Sequence, residues 1–152
     1  MIYVLLFLIG VAAGHRAGIP LAAVAIGAWL GWIDLSGSWA AFAGNIITVI
    51  ILVLLALAEA WRDKQPGTGS RLEVPSLVVR TVVGALSGAV LGIPSGNLVA
   101  GIILGAIGAV AGTYEGYYVR GFMAKRFGRD LPAALLEDVL TAVIALLVVY
   151  LA

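Results

Sequence analysis

Residues 81–112 read TVVGALSGAVLGIPSGNLVAGIILGAIGAVAG, a stretch that contains no charged residue. A helix needs about 20 residues to cross a hydrocarbon core of about 30 Å. The short polar segment 93–97 divides this part of the chain into two helices of roughly that length. The stretch therefore predicts an antiparallel transmembrane hairpin, and it places the chain in the all-α class as a polytopic helix bundle.

Glycines recur along both arms of this hairpin. Within lipid there is little hydrophobic drive between helices, so faces of small residues allow close backbone approach and van der Waals contact. We expect Gly92 to lie near Gly101 and Gly88 near Gly105. A homo-oligomer joined by the same glycine zipper is the alternative to packing within one subunit. The helix-packing glycines are Gly84, Gly88, Gly92, Gly101, Gly105 and Gly112.

The composition extends this interpretation to the whole chain. Of 152 residues, 62% are hydrophobic and 11% are charged, with a mean hydropathy of +1.12. Such a chain is an integral membrane protein, and we expect residues 1–152 to form a single transmembrane domain. Its expected surroundings are a lipid bilayer and not nucleic acid. The absence of cysteine excludes disulfides, a thiolate zinc site and a cysteine nucleophile.

Hydropathy predicts about six spans. The first two are short for a full crossing, so a broken or re-entrant pair is the alternative to two spans. Six spans would divide into two inverted halves of three, which is a transporter architecture. A 3+3 inverted repeat is therefore a hypothesis that the chain allows. The predicted spans are 2–14, 18–33, 39–61, 76–93, 97–118 and 132–151.

The positive charges predict the orientation of these spans. With six crossings all nine Lys and Arg residues fall on one side, which is cytoplasmic by the positive-inside rule. Both termini are then extracytoplasmic. Arg80 lies one turn inside the fourth span, and we expect its side chain to snorkel back to the cytoplasmic face. The nine cations are Arg16, Arg62, Lys64, Arg71, Arg80, Arg120, Lys125, Arg126 and Arg129.

Ionisable residues inside predicted spans are candidates for function, because burying them in a bilayer is costly. Glu137 and Asp138 are adjacent in the sixth span and repel each other unless a cation lies close. Their expected partners are Arg16, Arg80 and Arg120. Glu59 and Glu115 lie in the same half of the bilayer, where Glu59 could also pair locally with Arg62. These residues predict either an ion-pair cluster or an ion or proton pathway.

Three further segments carry predictions. Asn45, near the outer end of the third span, is a further candidate for the ion or substrate pathway, and we expect it to form an interhelical hydrogen bond. The polar segment 62–75 is expected to be a cytoplasmic turn region. The segment 120–130 places Phe122 and Phe127 among basic residues, as an interfacial segment in contact with anionic lipid headgroups would.

Two functions remain open from these residues. The first is a small transporter or channel with a cation or proton site at Glu137, Asp138 and Glu115. The second is a noncatalytic scaffold or assembly protein that uses the same charges as structural ion pairs. An enzyme is not expected, because no nucleophile and base pair, metal-ligand spacing or cofactor motif occurs in the sequence. No cofactor or metal is expected either.

The chain resembles a bacterial integral-membrane family that is described only as a domain of unknown function, number 4126. This resemblance implies a small polytopic protein of the inner membrane and no particular activity. The motifs that carry it cover the chain from the third span onward. They are the segment 59–66 (EAWRDKQP), Arg71 with the segment 80–85 (RTVVGA), the segment 105–112 (GAIGAVAG) and the segment 134–138 (ALLED).

Overall fold

The computed structural model describes residues 1–65, 70 and 72–152 and shows six α-helices. The described ranges contain no strand, so the predicted all-α fold class is confirmed. Part of the expected turn region 62–75, namely residues 66–69 and 71, lies outside the described residues. The helices are α1 (Ile2–His15), α2 (Gly18–Trp29), α3 (Ile46–Arg62), α4 (Val74–Gly92), α5 (Leu98–Phe127) and α6 (Asp130–Tyr150), and a 3₁₀ turn (Ala41–Gly44) precedes α3.

Helix length and hydropathy distinguish three of the six helices from the rest. These three, α4, α5 and α6, are long and apolar enough to cross a membrane. The apolar helices α1 and α2 have 14 and 12 residues. At about 1.5 Å per residue they extend about 21 Å and 18 Å, less than a hydrocarbon core. These helices indicate a membrane protein in which α1 and α2 are each shorter than the thickness of a hydrocarbon core.

The third helix is shorter than the sequence predicts. It begins at Ile46 instead of residue 39, because the side-chain oxygen of Asn45 caps it by accepting a hydrogen bond from the Ile47 amide at 2.8 Å. Trp39 lies in the turn before the helix. The prediction of an interhelical hydrogen bond from Asn45 is therefore wrong. A polar side chain at a helix start satisfies a backbone N–H that has no partner within the helix.

The fifth helix is longer than the sequence predicts. It continues to Phe127 and ends at Gly128, which adopts a left-handed conformation with φ of 68°. Most of the segment 120–130 is thus helix, and not the connection that the predicted spans 97–118 and 132–151 imply. Lys125 and Arg126 lie in the last turn, where positive charge interacts favourably with the negative end of the helix dipole.

The hairpin of α4 and α5 brings glycine backbones close together, and the expected approach of Gly88 to Gly105 is present, since a Cβ at Gly88 would lie 3.1 Å from Cα of Gly105. A Cβ at Gly88 would collide with the carbonyl oxygen of Gly101, and Gly84 stands opposite Gly105 in the same way. Gly92 faces Asn97, not Gly101. The reason is the tightness of the turn, since the Asn97 amide donates to the Gly92 carbonyl at 2.8 Å and closes the hairpin there.

Helix α1 lies against the same pair and runs parallel to α5. Gly10 approaches the backbone of Gly105, and further along Gly14 approaches that of Ala109 and Thr113. Helices α1, α4 and α5 therefore form one closely packed unit. Helix α6 contacts α1, α2 and α5, while α3 lies mainly against α2 and leaves most of its apolar side chains exposed.

The apolar core lies at the end of the bundle where α1 begins and α4 and α6 end. Leu6, Ile9, Leu91 and Val149 are buried there, and the connection after α2 folds over them. At the same end Trp32 meets Tyr150 edge to face, with ring centroids 5.3 Å apart. This packing leaves the ionisable side chains to gather at the opposite end.

Candidate functional site

The directions of the helices bring most ionisable side chains to one end of the bundle, which we call the charged end. It is formed where α1 and α3 end, where α2, α4 and α6 begin, and along the last part of α5. Asn45 is the one predicted pathway residue that lies elsewhere, at the start of α3. The residues of the charged end that form the site are His15, Arg16, Glu59, Asp63, Lys64, Arg80, Glu115, Arg120, Asp130, Glu137 and Asp138.

The break between α1 and α2 is closed on one side by Arg80. One guanidinium nitrogen of Arg80 donates to the carbonyl oxygens of Gly14 and His15, each at 2.8 Å. These carbonyls belong to the last turn of α1, where the helix supplies no donor. Only 5% of Arg80 is exposed. The expectation that Arg80 snorkels to the membrane surface is therefore wrong, because the end of α1 offers it buried acceptors.

The other side of the break is closed by Glu59 of α3. Its carboxylate accepts hydrogen bonds from the amides of Ala17 at 3.0 Å and Gly18 at 2.5 Å. These amides open α2, where a negative charge interacts favourably with the positive end of the helix dipole. Glu59 thus joins α3 to the first turn of α2, a contact between helices that the local pairing expected with Arg62 did not anticipate.

Arg16 and four side chains around it form a compact group that we call the ion-pair cluster: Arg16, Asp63, Lys64, Arg80 and Asp138. Arg16 is 1% exposed, and its Nε lies 2.5 Å from Oδ1 of Asp138. Its Nη1 pairs with Asp63, and Lys64 pairs with the second oxygen of Asp138. Nη2 of Arg80 lies 3.8 Å from Asp63. Each carboxylate in this cluster therefore meets two cations.

The remaining charges form a second group, the cavity cluster of His15, Glu115, Arg120 and Glu137. The His15 ring lies between two carboxylates, with Nε2 2.5 Å from Glu115 and Nδ1 3.4 Å from Glu137. Arg120 lies 3.6 Å from Glu137 and also binds Asp130 through two nitrogens, at 3.0 Å and 2.6 Å. A histidine between two carboxylates can carry a proton on either ring nitrogen near neutral pH.

A cavity of about 260 Å³ extends from the cavity cluster between α1, α5 and α6. The four residues of the cluster line one part of it, and Thr141 and Ile144 of α6 line another. Ile144 lies seven residues beyond Glu137, which is about 10 Å along the helix. The cavity therefore connects an ionisable group to an apolar region deeper in the bundle.

The two adjacent carboxylates of α6 belong to different clusters. Consecutive helical residues point in different directions, about 100° apart. Glu137 consequently faces the cavity with His15, while Asp138 faces Arg16 and Lys64, and a 3.9 Å contact between Nη2 of Arg16 and Oε2 of Glu137 links the two clusters. The sequence treats them as one acidic pair, whereas the structure places only Glu137 beside the cavity.

Reasoning from the sequence missed four residues of this site: His15, Asp63, Lys64 and Asp130. His15 lies between the first two predicted spans, and the other three lie in the predicted connections 62–75 and 120–130. A signal was nevertheless present, because all four fall on the same predicted side of the bilayer as Glu137. Candidate carboxylates were taken only from within the predicted spans, whereas these four residues lie between spans.

Comparison with known proteins gives one match. The model of a family described as "Domain of unknown function (DUF4126)" matches residues 4–152. No curated protein and no solved structure matches the chain. The description of the matching family names no ligand and no reaction.

Proposed function

We propose from the geometry of the charged end that this chain, which belongs to the family described as a domain of unknown function (DUF4126), is a small membrane transport protein. Its expected cargo is a proton or a small cation that binds at His15, Glu115 and Glu137. The observation that carries this proposal is the 260 Å³ cavity, which has these three ionisable residues in its wall.

The burial of these groups supports a transport role. Glu137 is 8% exposed, whereas the side chain of Glu115 is 54% exposed. His15 lies between them, so a proton can pass from an accessible carboxylate to a buried one through the imidazole. Ionisable residues that face a cavity within a membrane protein mark ion and proton paths in general. Asp138 is not part of this pathway, because Arg16 and Lys64 neutralise it.

We propose that the charged end is cytoplasmic and that the chain crosses the inner membrane of a bacterium six times. All nine cations fall on that side in this arrangement, as the positive-inside rule requires. Both termini are then extracytoplasmic. The exposed side chains of Lys125, Arg126 and Arg129 lie where anionic lipid headgroups can bind them. No catalytic step, cofactor or metal enters this proposal.

Cysteine accessibility tests whether water reaches the cavity, and the chain offers a background free of cysteine. Thr141→Cys and Ile144→Cys, which lie on the cavity wall, should react with a membrane-impermeant thiol reagent added at the charged end. Val143→Cys is the matched control, since Val143 is exposed on α6 but does not line the cavity. Equal protection of all three positions would contradict an aqueous path.

Flux measurements in liposomes test the ionisable groups directly. Glu137→Gln and Glu115→Gln should each abolish proton or cation flux driven by a gradient, because each removes a charge from the cavity. Glu73→Gln is the control, since Glu73 is exposed and lies outside the cavity. If the two cavity variants retain the flux of the unchanged protein while remaining folded, the transport proposal fails.

A scaffold without cargo is the second candidate, and the ion-pair cluster favours it. Arg16 joins residues of α3, α4 and α6 by ion pairs or through shared partners, as a purely structural fastener would. Under this hypothesis replacement of Glu137 lowers thermal stability, and no flux is detectable for any cation. Measurement of both quantities on the same variants separates the two functions.

A further inference from the structure

Helix α3 is joined to the rest of the bundle mainly at the charged end. There Glu59 accepts hydrogen bonds from the amides that open α2, and Lys64 pairs with Asp138 of α6. Away from this end α3 lies against α2 and hardly touches α6. Of the 17 residues of α3 only Val49 is buried. A gap between α3 and α6 is therefore left open along the middle of the two helices.

A groove of about 130 Å³ lies in this gap, with α2 as its floor. Val53, Ala56 and Leu57 of α3 line it at helical spacing, so one face of α3 borders the groove. On the floor, Ala22 and Ala23 of α2 are only 6% and 2% exposed, whereas Leu57 at the rim is 61% exposed. The groove is therefore closed below and open along its side.

The chemistry of the walls limits what fills the groove. Each described residue that lines it is alanine, valine, leucine or isoleucine. A bound water needs about two to four polar partners, which these side chains do not supply. A helix with its side chains is about 10 to 12 Å across, so the groove is too small for a partner helix. It suits a single narrow apolar chain.

The open side of the groove is continuous with a surface that lipid covers. Helix α6 is long and apolar enough to cross a membrane, and Val143, next to the lining residue Ala142, is exposed on it. Leu54 is exposed in the same way on α3. The acyl chains of the bilayer meet these side chains. An empty groove would forfeit van der Waals contact along its walls, which an acyl chain restores.

Trp61 indicates the direction of such a chain. It lies one helical turn beyond Leu57 on the same face of α3, and it is exposed. Tryptophan is enriched where the hydrocarbon core of a bilayer meets the headgroups. The ester end of a lipid is therefore expected at the charged end of the bundle, with its chain extending from there along the groove.

We propose that the groove between α3 and α6 binds one acyl chain of a membrane phospholipid, which takes the place of direct packing between these two helices. The ester end lies beside Trp61, and the chain covers Ala22 and Ala23. This inference goes beyond the proposed transport function, because the described residues that line the groove and those that line the cavity beside His15 have no member in common.

Photo-crosslinking of the unchanged full chain tests whether an acyl chain enters the groove. The probe is a phosphatidylcholine with a diazirine in the middle of one acyl chain, in vesicles of palmitoyl-oleoyl-phosphatidylcholine, whose headgroup carries no net charge. We expect mass spectrometry to find crosslinks at the buried Ala22 or Ala23 as well as at the exposed Val143, which any surrounding lipid reaches. Crosslinks at Val143 without any on the floor would overturn the proposal.

A matched pair of variants tests whether the groove retains the lipid. Ala142→Phe fills the groove, whereas Val143→Phe places the same side chain at the neighbouring exposed position. After detergent washing, native mass spectrometry should detect one bound phosphatidylcholine in the unchanged protein and in Val143→Phe, and none in Ala142→Phe. Added lipid should raise the melting temperature of the first two proteins only, because a ligand that binds the folded state stabilises it. Equal retention of lipid by all three proteins would refute the site.

Two further outcomes are decided by the same measurements. If Ala142→Phe does not fold, Val53→Phe fills the groove from the opposite wall and takes its place. A second copy of the chain is the competing occupant. A dimer that dissociates in the folded groove-filling variant, with no lipid bound to the unchanged protein, would assign the groove to that copy and overturn the lipid site.

Discussion

The ion-pair cluster and the cavity cluster occupy neighbouring positions and differ in how their charges are satisfied. Around Arg16, each carboxylate meets two cations, and the central guanidinium is almost fully buried. Around His15, two carboxylates share an imidazole beside a cavity. The carboxylates of the first group are enclosed by cations, whereas those of the second border open space. Similar residue types at the same end of a bundle thus have different surroundings.

At two places in the chain, residues joined by a single peptide bond belong to different clusters. His15 and Arg16 are adjacent, as are Glu137 and Asp138, and each pair contributes one residue to each cluster. Because the residues of each pair are adjacent in the chain, the buried ion pairs of Arg16 and Asp138 also hold His15 and Glu137 in position. This comparison predicts that substitutions at Arg16 or Asp138 mainly lower the free energy of unfolding. Substitutions at Glu137 or Glu115 should mainly change the properties of the cavity.

The largest effect is expected from Arg16→Met. It leaves Asp63 and Asp138 with less positive charge in a buried environment, and breaking a buried ion pair in this way costs about 3 to 5 kcal/mol. Unfolding of the purified protein in detergent should show this loss. Arg126→Met, at an exposed position, is the control and should change the free energy of unfolding little. Equal stability of the two variants would contradict a structural role for Arg16.

A pair of adjacent substitutions distinguishes the clusters directly. Asp138→Asn should lower the free energy of unfolding by about 1 to 3 kcal/mol, because Arg16 and Lys64 lose a charged partner. Glu137→Gln should cost less, since the cavity allows water to replace a lost contact. Thermal melts of both variants measure the difference. The reverse order of stability would show that the clusters have been assigned the wrong way round.

The third test concerns the close packing of α4 against α5. Gly88→Ala should destabilise the protein by about 1 to 3 kcal/mol, because the added methyl group would collide with the Gly101 backbone. Gly121→Ala is a matched control in the same bundle, since a Cβ there meets no atom within 4 Å. It should be neutral or slightly stabilising. Equal melting temperatures for the two variants would rule out close glycine packing at Gly88.

The smallest effect is expected at the break between α1 and α2. Glu59→Gln removes the charge and keeps only one of the two carboxylate oxygens that accept from the amides of Ala17 and Gly18. Loss of a charge at a helix start costs about 1 kcal/mol. Thermal unfolding of Glu59→Gln beside Glu73→Gln should show a small difference. A large loss would mean that Glu59 belongs energetically to the ion-pair cluster.

Hydropathy predicts the helices well where polar residues interrupt them and poorly where they do not. Helices α4 and α6 begin and end within two residues of the predicted spans, because Pro75 and Pro132 mark their starts. The apolar segment before Asn45 looks like part of α3, since hydropathy does not register a capping side chain. The length of α5 escapes prediction because charged residues are as compatible with a helix beyond the membrane as with a loop.

The site is predicted as a set of residues and not as an arrangement. Grouping charges by side anticipates that Glu59, Glu115, Glu137 and Asp138 lie near Arg16, Arg80 and Arg120. The partners depend on side-chain direction and on the break between α1 and α2. Arg80 illustrates this limit, because its position suggests an exposed surface until the carbonyl oxygens of Gly14 and His15 are placed beside it.

The break between α1 and α2 also sets an order on biosynthesis. The groups that satisfy it come from later in the chain, since Glu59 follows Gly18 by 41 residues and Arg80 follows Gly14 by 66. Until α3 and α4 have been synthesised, the backbone groups at the junction of α1 and α2 have neither of these two partners. The native contacts at the junction of α1 and α2 are therefore complete only after α4 has been made, although these two helices are synthesised first.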